Sequence, residues 1–246
     1  MKPVALALAL LALSAGAPVV ARAAKPPEPA PATERYALGF LYKGSKWTAE
    51  RTPHTDSIQA GHMANIRTMW EAGKLVAAGP CGGDPLLRGI FVWKVDSLSE
   101  IPPLLQGDPA LQSGRLRAEV HNWYAEPGIG AEYRARKQAD PAGRDSMVTF
   151  SLVLLQRGPA YTSNWTKQVQ HVLRDHAKHA DKLRAEGLLV LGGSIEGLGD
   201  PRGMLVFAAD TARTRTLLAA DPAVKSGRFV PFIWQWWTAL GNVPGH

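Results

Sequence analysis

The chain is almost without cysteine. Cys81 stands alone among 246 residues, so no intrachain disulfide can form and stability has to come from packing. Long apolar runs are missing too: Val4 to Leu13 is apolar throughout but well short of the about 20 residues that a membrane helix needs. Charge is not clustered. The net charge is +7, or +5 without Lys2 and Arg22, and the lysines and arginines are scattered, which argues against the basic stripe used in nucleic-acid binding. No serine or cysteine stands in a recognisable nucleophile elbow. What is present is 46% hydrophobic residues and eight tryptophans, enough for a substantial core.

The first residues read as an export leader. Lys2 supplies the positive start, Val4 to Leu13 the apolar centre, and Ala21-Arg22-Ala23 the small-residue cleavage site. Residues 1–23 are therefore expected to be a signal peptide, and 24–34 a proline-rich extended spacer. The expected location is periplasmic or secreted, without a membrane anchor after cleavage.

The rest says nearly the same thing twice. Gly44-Ser45-Lys46-Trp47-Thr48 returns as Gly158-Pro159-Ala160-Tyr161-Thr162, and at that offset His62 meets His176, Gly73 meets Gly187, and Leu75-Val76 meets Leu189-Val190. After a one-residue slip, Asp108-Pro109-Ala110-Leu111-Gln112-Ser113-Gly114-Arg115 meets Asp221-Pro222-Ala223-Val224-Lys225-Ser226-Gly227-Arg228, and Trp123 meets Trp236. Two copies of this length indicate a duplicated domain, since solenoids need three or more units.

Each copy reads strand, helix, strand, strand, helix, strand. In the first, Tyr36 to Tyr42 is a strand, and Thr55 to Ala72 a helix with Ile58, His62, Ile66 and Met69 on one face. Gly73 stops that helix, and Gly79 to Pro85 is turn-rich. The expected class is α+β: two ferredoxin-like βαββαβ repeats, 35–125 and 147–240, packed sheet to sheet as an intrachain pseudo-dimer. Residues 126–146 are expected to be a polar linker between them.

The helical His62, the Gly73-Lys74-Leu75-Val76-Ala77-Ala78-Gly79-Pro80 segment and Asp108-Pro109 through Ser113-Gly114-Arg115 resemble the YCII-related domain; His176, Gly187 to Gly193 and Asp221 to Arg228 resemble its second copy. The resemblance implies a dimeric α+β barrel and a cleft holding a histidine and an aspartate as a catalytic pair. The candidates are His62 with Asp108, and His176 with Asp221. Departures exist: Ala60-Gly61 and Arg174-Asp175 stand where many members have a proline, and Ser194 replaces Pro80 in the second copy.

A histidine oriented by a carboxylate suits general acid–base work. The same pattern also serves structure, because an aspartate before proline caps backbone N–H groups at a turn. His171, Asp175 and His179 share one helical face at metal-ligand spacing, which equally describes a solvated face, and no metal is expected. Several dimeric α+β barrels bind heme through a helical histidine, but no heme motif stands here and no cofactor is expected. Arg88 with Arg202, and Arg115 with Arg228, are candidate anchors for an anionic ligand. Most tryptophans fall on strands as packing residues, with an aromatic-walled cleft as the sharper alternative. The expected partner is a small molecule and the expected state a monomer or weak homo-oligomer. Two functions compete: a small-molecule enzyme, and a binding or structural module of the envelope.

Overall fold

The computed structural model describes residues 33–83, 86–196 and 201–246. The expected signal peptide and the spacer before residue 33 lie outside the described residues, as do Asp84 and Pro85 of the turn-rich loop. Among the described residues are eight strands: β1 (Glu34–Lys43), β2 (Leu75–Gly82), β3 (Leu87–Trp93), β4 (Leu116–Ala125), β5 (Met147–Arg157), β6 (Leu189–Glu196), β7 (Pro201–Phe207) and β8 (Phe229–Ala239). The helices are α1 (Pro53–Glu71), α2 (Ile101–Gln106), α3 (Pro109–Gln112), α4 (Ala131–Ala139), α5 (Lys167–Ala185), α6 (Thr211–Ala219) and α7 (Pro222–Lys225).

The strands close into one antiparallel barrel in the order β1-β3-β2-β8-β5-β7-β6-β4, with β4 paired back to β1. Where two sheets packed face to face are expected, the structure shows one closed sheet. The two halves join edge to edge, through Cys81 opposite Trp236 between β2 and β8, and Trp123 opposite Ile195 between β4 and β6. Closure has a physical reason: a strand edge left open exposes unpaired backbone groups, and a barrel has no edge.

Glycines permit both seams. A Cβ on Gly79 would run into the Trp237 carbonyl, and one on Gly193 into the Tyr124 carbonyl. These are equivalent positions of the two copies, which explains why the second glycine of each G-x-L-x-x-x-G segment is needed. The first glycine, Gly73 or Gly187, has φ of +73° or +68° just past a helix end, where L side chains are strained.

Inward side chains fill the barrel, among them Tyr36, Phe40, Trp123, Phe150, Trp234 and Trp236. Cys81 is buried in this core. Outward side chains meet the helices. Trp93, Phe91 and Leu75 pack with Met69 of α1 and Ile101 of α2, while Phe207 and Val153 pack with Leu183 of α5 and Leu218 of α6. Strand periodicity of two delivers both cores from the same segments.

The segment 126–146 is not a plain connector, for it folds into α4 and docks on the end of α1. Arg134 Nη2 donates to the Trp70 carbonyl at 2.7 Å and its guanidinium lies 4.6 Å over the Trp70 ring, while Tyr133 meets the same ring edge-on at 5.7 Å. Its composition hid this helix: α4 has no buried residue, so it carries no apolar stripe to read.

Candidate active site

The first candidate pair is built by three elements. Helix α1 starts at Thr52, whose hydroxyl accepts from Thr55 N while the Thr55 hydroxyl accepts from Thr52 N, and Pro53 occupies its first turn. His62 lies one turn beyond Ile58 on the sheet-facing stripe and is 8% exposed. Its ring stacks on Phe91 of β3, with centroids 5.8 Å apart and planes 18° off parallel.

Asp108 comes from the turn between α2 and α3 and is fully buried. Its Oδ1 accepts from Ala110 N at 2.9 Å, capping α3, and its Oδ2 lies 2.7 Å from His62 Nδ1. The capping role and the histidine-orienting role are thus met together, one oxygen each. A carboxylate has no hydrogen to give, so the shared proton belongs to Nδ1 and the neutral ring keeps its lone pair on Nε2.

The second pair repeats this geometry. His176 Nδ1 lies 2.7 Å from Asp221 Oδ2, and Asp221 Oδ1 accepts from Ala223 N at 2.7 Å. His176 meets Phe229 edge-on instead of stacking. The histidine side chain is more open here, 21% exposed against 10% for His62.

Surroundings distinguish the two. A cleft of about 630 Å³ runs beside α1 and is bordered by His62, Ile58, Ile66, Phe91, Trp47 and Trp70; no residue of α5 lines it. That volume lies in the range of small-molecule sites. Tyr133 of α4, Asp145 and Asn242 close one end, and Arg88 and Arg115 stand at the other beside Trp47. In the second copy Arg184 occupies the place of Trp70 and turns to Glu126, 2.9 Å away. The docked α4 and the indole of Trp70 are what the first half has and the second lacks.

The arginines of the repeat also hold backbone. Arg115 Nη2 donates to the Thr48 carbonyl at 2.9 Å, and Arg228 Nη1 to the Thr162 carbonyl at 3.0 Å. Arg88 lies 5.5 Å over the Trp47 ring and Arg202 5.8 Å over that of Tyr161. Burial, with Asp145 beside it, pushes the Tyr133 hydroxyl up to about 12, so it stays protonated in the cleft.

The possible metal face on α5 is otherwise engaged. His179 Nε2 lies 3.1 Å from the Leu217 carbonyl, and the exposed His171 pairs with Asp175 at 3.2 Å, which Lys178 also bonds. Among the described residues no three histidine, cysteine or acidic side chains come together as a metal site. Trp93, Trp123, Trp234 and Trp236 are core residues on strands, while Trp47, in the loop after β1, and Trp70 of α1 border the cleft. Trp70, Tyr133 and Asn242 have no counterpart in the other copy, so the repeat does not mark them; the lone aromatic at the end of α1 is the one signal the sequence offers.

No protein-family model and no curated protein matches the chain. Solved structures do. A mutant chlorite dismutase from Candidatus Nitrospira defluvii matches with a TM-score of 0.54 at 12% identity, over 85% of this chain and 92% of that one. A protein described as a candidate chlorite dismutase matches with a TM-score of 0.54 at 12% identity, over 85% and 97%. A heme-binding protein from Thermus thermophilus matches with a TM-score of 0.50 at 13% identity, over 87% and 96%. The fold is a closed α+β barrel similar to that of these structures. Such identities speak for the barrel and leave the chemistry to the residues.

Proposed function

We propose that the chain is an exported tandem of two YCII-like, ferredoxin-type domains forming a pseudo-dimer. In this reading it acts on a small molecule in the first-half cleft, with His62 and Asp108 as the acid–base pair. The observation that carries this is the 2.7 Å contact of His62 Nδ1 with a buried carboxylate beside a cleft of about 630 Å³. The doubled strand order and the identical second pair support the tandem assignment. The apolar Val4–Leu13 run and the Ala21-Arg22-Ala23 segment support export.

The chemistry follows from the proton positions. Asp108 holds the Nδ1 proton and so keeps the ring in one tautomer and one orientation. Nε2 then takes a proton from a bound substrate, or from a water beside it, and returns it to the product later in the cycle. No side-chain nucleophile is required, which suits an isomerisation, an elimination or a water addition. The test is a small-molecule screen of purified protein, comparing wild type with His62→Ala and His176→Ala. Loss of turnover in His62→Ala alone supports the reading; full turnover in both variants refutes it.

The second reading is a binding module without turnover, and one feature points to heme as its ligand. His62 has a carboxylate on Nδ1 and a free Nε2, the arrangement usual for metal-ligating histidines. The residues fit the group: His62 would hold the iron, and Arg88 and Arg115 would pair with the carboxylates. Bound heme supplies redox or ligand-binding chemistry at iron. Hemin titration decides, since a Soret shift lost in His62→Ala favours this reading over acid–base work.

A further inference from the structure

We infer that the cleft takes a small organic anion with an apolar body, its charged head at the Arg88–Arg115 end and a hydrogen-bonding group at the Trp70–Asn242 end. This rests on the first-half cleft being the working site.

Charge comes first. Arg67, Arg88 and Arg115 line the cleft, and none forms an ion pair with a carboxylate among the described residues. The one carboxylate on the lining, Asp145, sits at the far end and is matched by Lys137 at 3.3 Å. Arg115 is held in place by the Thr48 carbonyl, and Arg88 lies against Trp47, so both guanidinium groups are oriented before any ligand arrives. A fixed guanidinium is suited to planar anions such as carboxylates.

The middle is apolar. Ile58, Ile66, Leu75 and Phe91 form the walls on either side of His62. From Ile58 to Trp70 the helix advances about 18 Å, so the two ends are too far apart for one inorganic anion to reach both.

The far end holds two polar atoms without a protein partner. Trp70 Nε1 is a buried donor and Asn242 Oδ1 a buried acceptor, and both residues border the cleft. Asn242 is 4% exposed, and its amide nitrogen already donates to Thr238 Oγ1 at 2.8 Å, which directs the amide group. A buried polar atom left without a partner destabilises the empty site. A ligand hydroxyl or amide at this end can accept from Trp70 Nε1 or donate to Asn242 Oδ1.

The experiment uses the mature protein and three probes long enough to reach both ends: 10-hydroxydecanoate, its primary amide, and decanoate. Calorimetry gives the affinities, and 15N shifts of the His62 ring report occupancy beside Nε2. The acid is expected to bind about tenfold more tightly than the amide, a preference that Arg88→Gln removes. Loss of the hydroxyl is expected to weaken the acid by about threefold or more. Equal affinity of acid and amide, a preference unchanged by Arg88→Gln, or no binding of any probe overturns the inference. If acid and amide shift the His62 resonance alike and bind alike, the site stands and the anion is wrong. If the acid binds through Arg88 with His62 silent, the anion stands and the acid–base reading falls.

Discussion

His62 Nδ1 and Asp108 Oδ2 lie 2.7 Å apart, and the second oxygen of the same carboxylate accepts the Ala110 amide. One buried aspartate thus fixes a helix start and a histidine tautomer at once. Asp108→Asn separates the two roles. Its amide oxygen can still cap α3, while its NH2 group turned to Nδ1 forces the proton onto Nε2. Turnover should fall by about 10²–10⁴, the usual share of general acid–base catalysis. Asp108→Ala loses the cap as well, adding about 1 kcal/mol of instability. Ring 15N chemical shifts check the tautomer, and urea unfolding the cap.

The two pairs share a geometry but not a cleft, so their substitutions should differ in function and agree in stability. His62→Gln should abolish turnover of a cleft ligand, whereas His176→Gln should leave it unchanged. Both should be destabilised by a similar amount, about 1–3 kcal/mol, because each leaves a buried carboxylate oxygen short of a donor. Parallel turnover assays and denaturant melts measure the two quantities. Loss of turnover in His176→Gln would mean that the second pair is part of the working site.

The repeat made the barrel half-legible. Strand and helix order came from apolar periodicity, and the turn at Asp108-Pro109 from its residue types. Two things were out of reach. Edge-to-edge closure depends on Gly79 and Gly193 passing a neighbouring carbonyl, and a glycine in a sequence does not say what it passes. The cleft depends on α4, a helix without an apolar stripe whose anchor is a guanidinium on Trp70. Among residues kept by both copies, the glycines prove to be fold residues, and the aspartates serve fold and pair together. The histidines are the shared side chains whose outer nitrogen the fold does not use.

Arg134 is the test of α4 as a wall of the cleft. Arg134→Ala removes a charged hydrogen bond and a cation–π contact, together about 2–3 kcal/mol of local docking energy. Hydrogen exchange should accelerate through Ala131–Ala139 while the strands stay protected, and affinity for a cleft ligand should drop. Unchanged exchange in α4 would show that the helix is held by something other than Trp70.

Closure should fail first at the seams. Gly79→Ala and Gly193→Ala each place a methyl against a backbone carbonyl of the adjoining strand, which can move aside only by parting β2 from β8 or β6 from β4. Each should lower stability by about 1–3 kcal/mol or more. An alanine at Gly83, where nothing lies within 4 Å of the added Cβ, removes no packing space and reports the backbone effect of φ +89° alone. Thermal melts of the three variants separate the seam from the backbone effect.

Acid should loosen the start of the barrel through Glu34. Lys94 Nζ stands 2.5 Å from one of its oxygens, and the Tyr36 hydroxyl donates to the other at 2.5 Å. The Lys94 bond first, then the Tyr36 bond, holds the Glu34 carboxyl below its ordinary value of 4.5. A lowered folded pKa means stability that is complete above the unfolded value and disappears as pH falls through the folded one. Lys94 is largely exposed, so water and salt screen the pair and its contribution is about 0.5–1 kcal/mol. Lys94→Met should therefore be less stable than wild type by that amount at pH 7. The gap should shrink steadily below about pH 4, as Glu34 takes up its proton in both proteins. Denaturant melts from pH 7 to pH 2.5 follow the difference. A gap that stays constant across that range would mean that the lysine acts through packing of its stem and not through the Glu34 charge.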